Sequence, residues 1–555
     1  MAKKQDKKKI AEQQKQLKQS PTVFDRLNTY LEQREKAWFI ACLIIGALFS
    51  ILLFEAKINE GGDDSAYIER AYNFLHKGDF PTFQGAGYPM VLSILVAVFG
   101  LNIIALKLFS TFCGLGTLVL MFFTFRRRIP YLLLFTLLLF VALNHFLQFY
   151  NSQTYSEAFF GLLQTLFFYF TLKIVDKSKE SDFEPVTDWK LVSLTGLSFL
   201  LIVITRNIAI LAPGAITLYL LMNKKWKYAL ATLIAMFALK FAFDFVTHSI
   251  WDYNGRSQLD TLLLKKAYKN EQGYEDLPGF LARFWENVNI YISGHLYAVM
   301  GIRKINVYRI LVIPELSVLS LLLFAAVLWR SYKRNTTIFY LTLYTGILCV
   351  GTFFAVQIEW AQSRLIIPYM PYLFLALMSG LYLIGIKFKG FQVFAVSIFS
   401  LLLFISFYQT IQKSTDTVVA LKKNIQGDLY YGFTPDWQNY LKISKWCADS
   451  LPKDAVILTR KPSMSFIYSG GREFVGVYKV PEIYDGDSMI QWVQQLNGKY
   501  VILANIRANP ERNDGQIVNT LNVIMNRIYM KHPDKFKLLK TIGETENAEV
   551  YEMLF

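Results

Sequence analysis

The stretch that decides the architecture runs from Ala37 to Gly78: AWFIACLIIGALFSILLF (37–54), then EAKINEGGDDSAYIERAYNFLHKG (55–78). The first part carries no charge, and a bilayer core about 30 Å thick takes about 20 apolar residues of helix. It reads as a spanning helix. Because it follows nearly forty mostly polar residues, it reads as retained rather than as a cleaved leader. The chain then turns polar. Asp63, Asp64 and Ser65 precede a pattern with Ile68, Ala71, Tyr72 and Leu75 at i, i+3, i+4 and i+7, and Gly78 supplies a stop. This predicts a short amphipathic helix along the outer membrane surface, with both carboxylates held near the mouth of a helix bundle.

On the N-terminal side, residues 1–36 form a Lys/Gln-rich arm that cannot bury enough apolar surface to fold alone and is expected in the cytoplasm. On the C-terminal side, apolar runs recur at about 101–125, 130–147, 157–174, 189–204, 208–222, 228–246, 307–328, 336–356, 365–386 and 391–408. With the first, they make about eleven spans. The composition agrees: of 555 residues 54% are hydrophobic, 16% aromatic and only 18% charged, against about a quarter charged in soluble chains.

The net charge of +16 does not point to nucleic acid, because the basic residues sit in the arm and in short loops between apolar runs. Placing the arm inside puts Arg126-Arg127-Arg128, the 173–190 loop, Lys224-Lys225-Lys227, Arg330/Lys333/Arg334 and Lys387/Lys389 inside as well. The short loops of the other face hold almost no Lys or Arg beyond Arg206 and Arg364. Three segments then lie outside: a first loop (55–100), a central loop (247–306) and a C-terminal domain (410–555), leaving 37–409 as the membrane domain. The C-terminal domain reads as mixed α/β: a helix in WQNYLKISKWCADSL, strands in DAVILTR, EFVGVYKV and KYVILANI, a helix near 517–530 and a closing strand AEVYEML. Of four cysteines, Cys42, Cys113 and Cys349 lie in apolar runs and Cys447 has no evident partner, so no disulfide framework is expected.

Within the first loop, Tyr88-Pro89 opens a second segment that runs apolar to Phe99, too short to span and expected at the interface. The acidic pair admits two readings. A carboxylate beside a like charge has its pKa raised and can take a proton from a hydroxyl. Equally, Asp64 or Ser65 caps the helix while Asp63 is solvated. Spacing alone leaves both open.

The strings GGDDSAYIERAYNFLHKGDFP (61–81) and GAGYPMVLSILVAVFG (85–100) resemble the opening of the integral-membrane glycosyltransferases of the GT-C fold. The likeness is to the group of dolichyl-phosphate-mannose protein mannosyltransferases and lipid A aminoarabinose transferases. Three further stretches resemble that group in order and on one predicted face: Tyr155-Ser156-Glu157, Thr205-Arg206, and Gln362-Ser363-Arg364-Leu365-Ile366-Ile367-Pro368-Tyr369-Met370-Pro371. The resemblance implies a polytopic α-helical GT-C-like fold and transfer, with inversion, of a sugar from a polyprenyl-phosphate donor to a hydroxyl of a lipid, glycan or protein acceptor. It implies Asp63 as catalytic acid/base and Asp64 as its acidic neighbour; where many members have Asp-Glu, this chain has Asp-Asp. Arg206 and Arg364 would hold the lipid phosphate through their guanidinium forks, with Glu157, Tyr67, Tyr88 and His145 on the substrate side.

A divalent cation, magnesium or manganese, on Asp63, Asp64 and Glu157 is neither required nor excluded. His76, His145, His248, His295 and His532 show no metal-ligand spacing. Two other readings compete: a lipid-linked-sugar flippase or other transporter, and a polysaccharide polymerase or ligase using a pyrophosphate-linked donor. A transporter needs ionisable groups near the midplane, and these are scarce, with Lys107 and the i, i+4 pair Lys240/Asp244 the clearest. A polymerase would carry its large outer loop late in the chain. The Lys-rich arm and the lack of organelle signals suggest a bacterial inner membrane.

Overall fold

The structure is a computed structural model describing residues 21–60, 62–251, 258–266, 270–304, 310–478, 480, 485–507, 517–518 and 520–555. Among these, nine helices are long and apolar enough to cross a membrane: Glu35–Leu52, Ile103–Phe125, Ser156–Glu180, Pro185–Thr205, Trp226–Ile250, Pro314–Ser331, Thr336–Ala355, Ile367–Lys387 and Phe391–Ile425. A tenth is a bent pair, Tyr131–Leu143 and His145–Asn151, meeting at 61°. Asn144 makes the joint: its Oδ1 accepts from the Leu147 amide at 3.2 Å and its Nδ2 donates to the Val299 carbonyl at 2.6 Å. The run expected at 208–222 is a shorter apolar helix, Asn207–Met222, whose first turn is 3-10 and which carries Pro213. Eleven expected spans thus resolve into nine long helices, one bent pair and one short helix.

The loops expected to share a face with the N-terminal arm are neighbours. Arg128 pairs with Asp176, Lys225 with Asp182 at 2.8 Å, and Asn335 Nδ2 reaches the Arg128 carbonyl at 2.8 Å. The arm itself needs correction. Residues 1–20 lie outside the described residues, but Val23–Gln33 is a helix, opened by a capping box between Thr22 and Asp25. Its Phe24 stacks on Tyr382 at 4.5 Å and its Leu31 is buried. The Phe24/Leu27/Leu31 spacing gives this segment an apolar stripe that the arm's average composition hides.

The central segment also departs from a solvated loop. Its helix Leu277–Val288 and the π-helical Asn289–His295 bury Asn287, Tyr291 and Ser293, and Asn287 Nδ2 donates to the carbonyls of Phe353 and Val356 at 2.9 and 2.8 Å. Residues 252–257, 267–269 and 305–309 of that region and its border lie outside the described residues.

At the C-terminal end, the last long helix runs unbroken to Ile425, so the boundary expected at 409/410 falls inside it. The domain beyond opens with helix Pro435–Ser450. Its five-stranded sheet has the order β2-β1-β3-β7-β6, from β1 (Ile457–Thr459), β2 (Val475–Gly476), β3 (Tyr500–Ala504), β6 (Phe536–Ile542) and β7 (Ala548–Met553). β4 (Ile506–Arg507) and β5 (Ile517–Val518) pair separately. β1 runs parallel to β2 and β3, and β7 runs antiparallel to β3 and β6. β6, FKLLKTI, was not anticipated: its edge position leaves it mostly exposed, so it lacks an apolar run. The Gly470-Gly471 turn follows helix Pro462–Tyr468 rather than joining two strands directly.

This domain does not stand apart. Ile58, Tyr67, Ile68, Ala71 and Tyr88 of the first loop share one buried apolar cluster with Trp437, Tyr440, Phe466 and Tyr468. The amphipathic helix Asp63–Lys77 therefore lies between bundle and α/β domain, and Tyr72 meets Phe466 edge-on at 5.1 Å.

Candidate active site between the first loop and the bundle

Gly62, at φ +82°, turns the chain into the amphipathic helix, and a side chain there would be strained. Asp63 and Asp64 sit in the first helical turn rather than before it, where the helix dipole favours negative charge. They point to different environments. The Asp63 side chain is 45% exposed, while Asp64 is fully buried.

Asp64 is tied to the backbone: its Oδ2 accepts from the Asn59 amide at 2.9 Å and its Oδ1 from the Ser65 amide at 2.8 Å. Beneath it lies Lys107, also fully buried, whose ammonium donates to Gln153 Oε1 at 2.6 Å and to the Lys57 carbonyl. Gln153 continues to Glu55 Oε2 at 2.8 Å. Burial pushes the Asp64 carboxyl up to about 6, against the opposing pull of Lys107 and the two amides. A carboxyl whose folded-state pKa is raised contributes stability below its unfolded value and loses it as pH rises through about 6. The thermal stability of wild type relative to Asp64→Asn is therefore expected to increase as pH falls from 7 to 5; a difference that stays flat would remove this titration.

Asp63 belongs to a second, charged cluster. Its Oδ2 pairs with Arg364 Nη1; Arg364 Nε donates to Glu157 Oε1 at 2.7 Å; and Arg206 Nη1 lies 2.9 Å from that same oxygen. Local structure explains the convergence. Arg206 follows the end of helix Pro185–Thr205, Glu157 is in the first turn of Ser156–Glu180, and Arg364 stands in a short 3-10 turn before Pro368. Gly85, at φ +102°, lets the first loop pass the same helix end: a Cβ there would lie 2.5 Å from the Thr205 carbonyl. The Arg364 guanidinium covers the Tyr155 ring at 4.5 Å. Glu157 Oε2 and Arg206 Nη1 are buried without a hydrogen-bond partner among the described residues, the latter close to Glu157 but not aligned with it. A small, mostly apolar cavity adjoins Glu157 among Thr117, Tyr150, Gly161, Pro368 and Tyr372.

Four residues singled out from sequence, Asp63, Glu157, Arg206 and Arg364, thus meet in one cluster, with Asp64 behind it. Tyr67 and Tyr88 do not line an open site. Both are buried, 5.2 Å apart edge-on, with hydroxyls on Ser156 and Ser110 at 3.4 and 3.2 Å; aromatic rings on the inward face of the loop pack before they can reach solvent. His145 sits at the bend beside Phe146, at 4.2 Å, and not in the cluster. Nor do Asp63, Asp64 and Glu157 converge as cation ligands: Arg364 stands between Asp63 and Glu157, Asp64 faces its amides, and no metal-ligating group of three acidic, His or Cys side chains occurs among the described residues. Lys107 was visible as a charge in an apolar run, but its partners Gln153 and Asp64 were not. Tyr155 appeared only within a motif.

No protein-family model matches the chain, and no curated protein matches it. The bundle, the amphipathic helix in its first loop and the α/β domain together define a membrane protein of the GT-C fold. Solved structures of that architecture include ArnT from Cupriavidus metallidurans bound to undecaprenyl phosphate, similar over 92% of this chain and 97% of its own, with TM-score 0.53 and 11% identity. They also include the archaeal oligosaccharyltransferase AglB from Archaeoglobus fulgidus, in complex with an inhibitory peptide and a dolichol-phosphate, similar over 84% of this chain and 69% of its own, with TM-score 0.53 and 11% identity. At such identities the likeness is one of fold.

Proposed function

We propose that the protein is a membrane glycosyltransferase that moves a sugar from a polyprenyl-phosphate donor to an acceptor hydroxyl on the extracytoplasmic side. The observation that carries this reading is the buried Arg206–Glu157–Arg364 cluster ending on the exposed carboxylate of Asp63. Two guanidiniums side by side suit a phosphate oxygen, and a carboxylate beside them suits a hydroxyl about to lose its proton. The ArnT structure holds undecaprenyl phosphate and the AglB structure a dolichol-phosphate, which supports the donor class.

In the proposed step the acceptor oxygen attacks the anomeric carbon as Asp63 takes its proton. The bond from that carbon to the phosphate oxygen breaks, and the lipid phosphate leaves with the electron pair, stabilised by Arg206 and Arg364. A single displacement inverts the anomeric centre. Asp64, its oxygens committed to amides, holds the loop rather than the acceptor.

Purified protein given radiolabelled polyprenyl-phosphate sugars and an envelope extract as acceptor source is expected to release polyprenyl phosphate in proportion to label incorporated. Label crossing proteoliposomes with no covalent product would overturn the reading and favour transport.

A further inference from the structure

The turn that presents Asp63 is touched by one cation from outside the membrane domain. Lys461 lies between β1 and helix Pro462–Tyr468 of the α/β domain. Its ammonium donates to the Glu60 carbonyl at 3.4 Å, stands 5.7 Å over the Trp437 ring, and would lie 3.5 Å from a Cβ at Gly62. Its own amide donates to the Tyr440 hydroxyl at 3.1 Å, and that hydroxyl is within 2.8 Å of Ser465, so the lysine is fixed at its base as well as its tip. Further contacts lock the two parts together: the Ile58 amide donates to the Tyr468 hydroxyl at 3.3 Å, and Ser463 bonds to Glu69. A lysine seldom gives up water without a partner of opposite charge. Here the acids within electrostatic reach are Glu60, Asp63 and Asp64. Burial, and then Arg460 beside it, pull the Lys461 ammonium down to about 8, while those three acids hold it up.

We infer that Lys461 is a positioning residue of the transfer site, supplied by the C-terminal domain: its ammonium holds the Glu60 carbonyl, just ahead of Gly62 and the helix that carries Asp63, and so sets where the Asp63 carboxylate stands relative to Arg364. This rests on the proposed glycosyl transfer and deepens it, because the α/β domain then completes the site instead of merely adjoining it. Its ammonium reaches the Glu60 carbonyl, on the Asp63 side of the cluster, so Lys461 acts on the chemical step rather than on donor capture.

The test uses the full-length protein and the donor assay with Lys461→Met, Lys461→Gln and Lys461→Arg. Lys461→Met is expected to lower kcat about tenfold to a hundredfold with donor KM within about twofold. Lys461→Arg, which keeps a charged donor for the Glu60 carbonyl, is expected to recover most of it. Lys461→Gln keeps a neutral donor and is expected to fall between, which provides a second folded variant if the methionine protein is poorly made. Unchanged kcat per folded molecule in either neutral variant, or a loss confined to thermal stability that arginine does not restore, would overturn the inference. An Asp63→Asn control separates the two claims. If that variant is inactive while the Lys461 series matches wild type, only the role of Lys461 falls. If Asp63→Asn turns over at the wild-type rate, the role of Asp63 falls and that of Lys461 with it; if wild type itself transfers no label, the transfer reading falls.

Discussion

Replacing Asp63 with asparagine is expected to lower turnover by about 10²–10⁴-fold, the range that a positioned proton acceptor supplies, while the protein stays folded and still binds donor. The structure gives the reason for choosing Asp63 over its neighbour. Both aspartates stand in one helical turn, yet only Asp63 has an exposed carboxylate, at 45%. An asparagine there still accepts from Arg364 through its carbonyl oxygen, so the cluster keeps its geometry and loses only the capacity to take a proton. Turnover, thermal stability and retention of labelled polyprenyl phosphate should be measured together. Wild-type turnover in a folded Asp63→Asn protein would take this residue out of the mechanism.

Glu157→Gln is expected to act in the opposite manner, through stability first. Among the described residues Glu157 is the one anion shared by Arg206 and Arg364, and it is buried beside both. Removing one partner from a buried ion pair costs about 3–5 kcal/mol, because the remaining charges are left uncompensated. Two guanidiniums facing a neutral amide would repel, and the Asp63–Arg364 pair would lose its second anchor. A ligand that binds only the folded state stabilises in proportion to its affinity. Polyprenyl phosphate should therefore raise the melting temperature of the Glu157→Gln protein by more than that of wild type, since the phosphate supplies the missing negative charge. An unaltered melting temperature, or a phosphate effect smaller than in wild type, would refute the arrangement.

The sequence made these residues legible to different degrees. Spanning helices follow from runs of apolar side chains, a local property, so their number and order could be anticipated closely. Failures came where local composition misleads. Asn144 divides one run by capping its second half, and Leu27 and Leu31 form a stripe inside a segment dominated by charge. Arg206 and Arg364 were separable because Lys and Arg are scarce in the short loops of that face, and Asp63 and Glu157 because they stand in the stretches that carry the resemblance, although their mutual pairing is a tertiary fact. Tyr67 and Tyr88, placed on the substrate side by the resemblance, are buried with their hydroxyls beside Ser156 and Ser110, a packing that residue type does not announce. Lys461 carried no signal, since nothing in RKPSMSF distinguishes it from a surface lysine and its partner Glu60 lies 401 residues earlier.

The cluster shared by the first loop and the α/β domain also bears on biosynthesis. Ile58 must wait for Tyr468, 410 residues later in the chain, and at about 5–20 residues per second that interval is about 20–80 s. During it the segment that carries Asp63 can pack on Leu106 and Tyr155 but lacks the part of its cluster that Trp437, Phe466 and Tyr468 supply. The cluster that joins this loop to the α/β domain therefore closes only after Tyr468 has been made, long after the loop itself.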